Sequence, residues 1–463
     1  MTRMELERKL VAYIGNSTFE DLPQQAADVA KNMILTEMGT VIAGATEEGC
    51  QTLVDLIKEW GGKKEATLLI DGGKVPAHHA VLANSTMARA LDIDDAMIPG
   101  MHVGASSFPT ALAAAELAGS CTGKEFLTAI ATGQDVAARL NFATTYEGSE
   151  PTWDASGVCG IFASTIAAGK ILHLNSAQIW NALGLTFTQP GGESMQAIVD
   201  GTLAVRLFQG CVSRNSILCV RFAQKGFTGP KNFLEGPWGY FHLYSKDQFD
   251  SGVLVGELGK RFELDKTVFK SYPSCGATIA STDAILSLVK ERGIVPESVA
   301  RIDIRVNPYC YKLVGGPFEA GENPTVNAKF SIQYCVANAL LRRGSKLEHF
   351  EEASIRDPRI MELAKKIDIA ADPTIDSGQR EYSLRTDMKV ITVKGDVYQK
   401  RADIPSGFPG NAMSAEEHIE RFRDAASYKG KRLSREKIEK VIDTVRHLEA
   451  VEDIRSLIPL LSR

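Results

Sequence analysis

Apolar residues recur at spacings of three and four through most of the first 268 positions, a pattern that predicts helix after helix. Residues 24–45 and 107–119 show it most plainly and are rich in alanine. Thr122-Gly-Lys-Glu125 has the form of a capping box and opens a helix through about Leu140. Ser164 to Leu172 and Ala204 to Lys225 continue the series, and the small residues of AAAELAG and STIAAGK permit close helix approach. Past residue 268 the period changes. Ala300–Val306 and Thr386–Val393 alternate apolar and polar residues, as half-buried strands do. Gly395-Asp396 supplies a hairpin turn into Val397–Arg401. Thr278–Arg292 and Val326–Leu341 between them read as helices. The loop Pro405–Gly410 ends this region, a second capping box follows at Ser414–Glu417, and Glu436–Val451 is again helical in period. The predicted fold is mainly α. A large all-helical domain, residues 1–268 and 406–463, is interrupted by a smaller α+β lid, residues 269–405.

Composition narrows the function classes. At 463 residues the chain exceeds one compact core. Its net charge of -5 argues against a nucleic-acid or anionic-membrane surface. No run of about 18 uncharged apolar residues is present, so no membrane span is expected. The start, MTRMELERKLVAYI, reads as an amphipathic helix rather than a signal peptide. Eight cysteines are scattered without a Cys-x-x-Cys pair, mostly in apolar runs, which fits buried reduced thiols and the cytoplasm. Gln189 to Glu193 is glycine-rich but follows no strand, so it reads as a helix break rather than a nucleotide loop. No metal site and no cofactor are expected.

Two segments carry chemistry. In Leu91–Ala105, Asp92, Asp94 and Asp95 crowd the end of a helix, and like charges that close raise one another's pKa when partly buried. A Pro99-Gly100 turn then presents His102, the side chain whose intrinsic pKa best suits acid/base work. The alternative is a solvated acidic helix end with a surface histidine. In Lys270–Ile279, Ser274 can cap the following helix, whose N–H groups favour a carboxylate, and Lys270 adds a charge to the same anion. Cys275 stands at that helix start, where thiols are activated, but no histidine lies near it in sequence.

These segments, in order with two others, resemble the MmgE/PrpD family. Ala90–Asp95 with His102 is similar to its "ALDFDD…HPG" block, and Gly226–Pro230 with Leu234–Gly236 to "GFTGP…LEG". Lys270–Thr278 is similar to "KPYPSCGGTH" and Ala328–Tyr334 to "AKFSLPY". The family includes 2-methylcitrate dehydratase, cis-aconitate decarboxylase and iminodisuccinate epimerase. The resemblance implies a helical domain with an α+β lid, an active site between them, a homodimer, and cofactor-free proton transfer on a small di- or tricarboxylic acid. It marks Asp92, His102, Lys270 and Tyr334 as catalytic positions. Arg89, Asp154, Arg206, Ser274 and Cys275 are marked as substrate-binding positions. Asp92, His102, Asp154, Lys270 and Tyr334 are expected to share one cleft.

Four positions depart from the family pattern. Asp154 and Ile279 stand where it has histidine, Val205 (beside Arg206) where it has lysine, and Arg89 near another histidine. Fewer groups then remain to protonate a leaving hydroxide, which favours an isomerase or epimerase over a dehydratase. The rival class is a non-catalytic relative that binds a carboxylate or only dimerises.

Overall fold

Close helix packing organises the larger part of the chain. The computed structural model describes residues 4–98, 100–144, 153–189, 195–375, 384–429 and 433–462. Pro99 of the predicted turn and residues 190–193 of the predicted break lie outside them. Helices Gln24–Gly44, Ala77–Arg89, Gly104–Ala118, Gly123–Thr144, Gly160–Ile171 and Ala204–Gln224 pack on one another around a single apolar core. Gly210 shows why small residues recur: a Cβ there would sit 2.4 Å from the carbonyl oxygen of Leu82. That approach brings the Ala204–Gln224 helix against Ala77–Arg89. The Thr122 capping box forms, with the Thr122 N–H donating to Glu125 at 2.8 Å and the Glu125 N–H to Thr122 Oγ1 at 3.2 Å. Helix Ala415–Ser427, opened by the Ser414 box, packs on Gln24–Gly44, and its Ile419 and Phe422 join the same core.

A second core gathers residues from Cys275 to Val390. Its sheet has the order Ile367–Ala371, Val299–Val306, Thr386–Thr392, Val397–Ala402; the first pair is parallel and the others antiparallel. Alternation places Ile302, Ile304 and Val306 inside and leaves Arg301 and Arg305 exposed. Helix Gly276–Arg292 packs on this sheet.

Two local departures stand out. The predicted Val326–Leu341 helix is two helices, Pro324–Lys329 and Ile332–Arg342. The Ser331 side chain between them accepts the Tyr334 N–H and starts the second. The first half of the chain also contains short strands, of which Asp95–Met97 matters most. It pairs antiparallel with Thr267–Phe269, Asp95 opposite Phe269 and Met97 opposite Thr267. This ladder stitches the acidic segment to the Lys270 segment.

Candidate active site

Helix Ala77–Arg89 delivers Arg89 at its last position, and the chain then turns back. Asp92 takes φ +56°, a left-handed conformation that aspartate tolerates better than most residues. Its carboxylate thereby folds onto Arg89 Nη1, and its Oδ1 also meets Lys270 Nζ at 2.8 Å. Lys270 Nζ donates in addition to the Asp92 carbonyl at 3.1 Å. The three side chains are at most 5% exposed.

His102 follows a tight turn in which Met97 and Met101 exchange backbone hydrogen bonds of 2.7 and 2.8 Å. Its backbone N–H donates to Ser156 Oγ at 3.0 Å, and its carbonyl accepts from Gln209 Nε2 at 2.8 Å. Its Nδ1 lies 2.8 Å from Asp94 Oδ2, and Arg89 Nη2 lies 3.4 Å from Nε2. Arg89 and His102 hold the Asp94 carboxyl well below the usual carboxylate range despite its burial. An ionised Asp94 takes the Nδ1–H, which makes Nε2 the acceptor, and the Arg89 Nη2–H is the group that faces it here. The Asp92 carboxyl is likewise held down, by Lys270 first and then Arg89, against the burial that pushes it up.

The carboxylate with a raised pKa is the third one. Asp95 turns into the helical core, where its N–H donates to Glu37 Oε1 at 3.1 Å. Burial pushes its carboxyl up to about 7, and burial pushes Glu37 well up as well. The rise expected from crowding is therefore corrected for the site itself: two of the three face cations and stay ionised, and the third, which does rise, faces the core.

One cavity lies against this array, about 980 Å³ with the open space at its mouth included. Arg89, Asp92, His102, Asp154, Lys270 and Cys275 all reach its wall. Asp154 accepts the Ser156 N–H at 2.7 Å and so steadies the serine that holds His102. Burial pushes the Cys275 thiol up to about 11, so it is a protonated thiol, not a nucleophile.

Three expected residues do not reach the wall. Tyr334 lies in the second core between Phe318 and Phe350, its hydroxyl donating to the His349 carbonyl. Arg206 Nη1 donates to the Glu48 carbonyl at 2.8 Å, while Val205, one residue and about 100° away on the helix, faces the cavity. Ser274 does not cap its helix; Cys275 occupies the N-cap, and Ser274 Oγ bonds Thr278 Oγ1 at 2.8 Å.

Two residues outside the expected set matter. Asp94 orients His102 through Nδ1. Lys329, inside the "AKFS"-like block, stands behind the wall. Its carbonyl accepts the Cys275 N–H at 3.0 Å, and its Nζ lies 3.5 Å from the Ala90 carbonyl. Burial pushes its amine down to about 7. Among the described residues no three His, Cys, Asp or Glu side chains gather as metal ligands, and no helix is long and apolar enough to cross a membrane.

Comparison with known proteins agrees along the whole length. The model of the MmgE/PrpD N-terminal domain matches residues 8–251, and that of the MmgE/PrpD C-terminal domain residues 272–448. The cis-aconitate decarboxylase of Homo sapiens is 27% identical over 444 residues, 93% of this chain and 89% of the relative. The Mus musculus enzyme is 25% identical over 449 residues, 93% and 88%. That of Aspergillus terreus is 22% identical over 474 residues, 97% and 94%.

Proposed function

This chain belongs to the MmgE/PrpD family, and from that premise we propose that it removes the proton next to the carboxylate of a small carboxylic acid, with His102 as the base. The observation that carries the reading is the Asp94–His102–Arg89 array. The carboxylate fixes the imidazole tautomer, and the guanidinium stands beside the lone pair that takes the proton. Arg89 and Lys270 hold the substrate carboxylate and stabilise the charge that spreads onto it as the proton leaves. Asp92 keeps both cations in place. Its Oδ2 is buried without a hydrogen-bond partner, so it is also available to a hydroxyl on the substrate.

The carbanion then has two ordinary fates: a proton returns, or a leaving group departs. Return of the proton by His102 to another carbon on the same face is an isomerase outcome, whereas an epimerase outcome needs a second donor on the opposite face. Loss of hydroxide needs a second acid, and family histidine positions are here occupied by Asp154 and by Ile279, the latter buried in an apolar cluster. The chemistry is accordingly assigned to proton return. We read residues 269–405 as a lid whose Lys270 segment closes on the substrate, because their core is separate from the helical one.

Incubation with a panel of carboxylic acids in deuterated water, followed by NMR, tests this. Deuterium should enter at the carbon next to a carboxylate in the wild type and not in His102→Ala. Wash-in that survives His102→Ala would remove His102 as the base. Absence of any turnover by the wild type across the panel would favour a non-catalytic carboxylate binder.

A further inference from the structure

Proton abstraction accounts for one end of the cavity. Among the described residues its wall carries two cations, Arg89 and Lys270, and both already contact Oδ1 of Asp92. Asp154 adds a second acidic side chain to the same wall. The set is balanced in charge rather than cationic. A site for an acid with three carboxylates needs a surplus of positive groups, since each unpaired carboxylate must otherwise leave water for nothing.

Most of the rest of the wall is apolar, Ser156, Gln209 and Tyr309 apart, and much of it belongs to two small clusters or packs against them. Ile198 and Val205 form one with Val326, against which Leu313 and Phe330 pack. Phe408 belongs to the other, with Ala96, Val268 and Ile279, and Leu384 packs against it. Ile198, Val205, Leu313, Phe330, Leu384 and Phe408 all border the cavity. They line it from both the helical part and the Cys275–Val390 core region.

Resting on the proton-transfer reading for the polar end, we propose that the substrate is an acid with a single carboxylate bound at Arg89 and Lys270 and an apolar body extending along Ile198, Val205, Leu313, Phe330, Leu384 and Phe408. The polar end recognises the head and carries out the chemistry. The apolar end gains affinity in proportion to the carbon it covers, about fourfold for each methylene removed from water.

Calorimetric titration of the full chain with butanoate, hexanoate, octanoate and propane-1,2,3-tricarboxylate decides this. Affinity should rise about fourfold per methylene along the straight-chain series. Hexanoate should bind more tightly than the tricarboxylate, which has the same number of carbons. Val205→Lys should reverse that order by placing a cation on the apolar wall. The inference is overturned if the tricarboxylate binds the wild type more tightly, if chain length has no effect, or if no alkanoate binds. Because the readout is binding, the outcome is independent of deuterium wash-in. Chain-length-dependent binding without wash-in on any acid would sink the proton-transfer reading alone, and wash-in on a tricarboxylate that outbinds hexanoate would sink this inference alone.

Discussion

Asp94 and Asp95 are adjacent in sequence and equally buried, yet they meet opposite environments. Asp94 faces Arg89 and His102 and is held ionised. Asp95 faces Glu37, itself a buried acid, and is pushed up to about 7. Asp94 stands just before the short strand Asp95–Met97, and Asp95 is its first residue, paired opposite Phe269. Asp94 meets Arg89 and His102 from behind the cavity wall, and Asp95 meets the helical core. Acidic residues crowded in sequence thus do not share one fate: Asp94 adds to the rise at Asp95, but burial is the larger cause. What each can do depends on which cations the fold brings to its side. Asp94 serves the chemistry through its charge on Arg89 and His102, whereas Asp95 and Glu37 hold protons away from the cavity wall.

The largest expected effect lies on the cavity side. His102→Ala should lower kcat by on the order of a hundredfold or more, while the chain still folds, because Arg89 remains beside the buried Asp94 carboxylate that loses its imidazole partner. Retained kcat would place the base elsewhere. Asp94→Asn comes next. An asparagine amide can donate to Nδ1, so the imidazole proton is driven onto Nε2, the atom that must accept. Turnover should fall by about ten- to a hundredfold, chiefly in kcat. The double variant His102→Ala with Asp94→Asn should be no slower than His102→Ala alone, because both act through one ring. Additive losses in the double variant would show that Asp94 acts otherwise.

Local signals were legible along the chain, and non-local ones were not. The capping boxes at Thr122 and Ser414 formed where expected because each depends on four consecutive residues. The break at Ser331 was hidden because the apolar period runs through it and only the Ser331 cap interrupts it. Strand Ile367–Ala371 was missed, being short and defined by its parallel partner Val299–Val306. At the site, Arg89, Asp92, His102, Asp154, Lys270 and Cys275 could be picked out as reactive types near a resemblance. Their division of labour could not. Whether Asp92 or Asp94 meets His102 depends on a left-handed turn at Asp92 and on pairing with Thr267–Phe269, far away in the chain. The same holds for Tyr334, whose helix turns it into the second core.

The smallest effect is on stability, and it separates the two carboxylates by sign. The folded carboxyl of Asp95 sits at about 7, above the ordinary value near 3.8. Between those values the folded chain holds a proton that the unfolded chain has released, so the stabilisation present at low pH is lost as pH rises from about 4 to 7. The groups facing Asp95 are Glu37, Asp94 and Arg421, and Arg421 offsets only part of the burial. Asp95→Asn removes the titration while keeping an oxygen that can accept hydrogen bonds. Between pH 5 and pH 8 the wild type should therefore lose more stability than this variant, by on the order of 1–3 kcal/mol in urea unfolding. Asp94 has the opposite sign. Its folded pKa is depressed, so its stabilisation is present above the ordinary carboxylate range and is lost only in stronger acid. Asp94→Asn should then change stability by the same amount at pH 5 and pH 8. Turnover should discriminate in the other direction, with Asp95→Asn staying within about twofold of wild type because nothing of Asp95 reaches the cavity wall. If Asp95→Asn instead abolishes turnover, or if the two variants show the same pH dependence of stability, the division between a charged cavity side and a protonated core side does not hold.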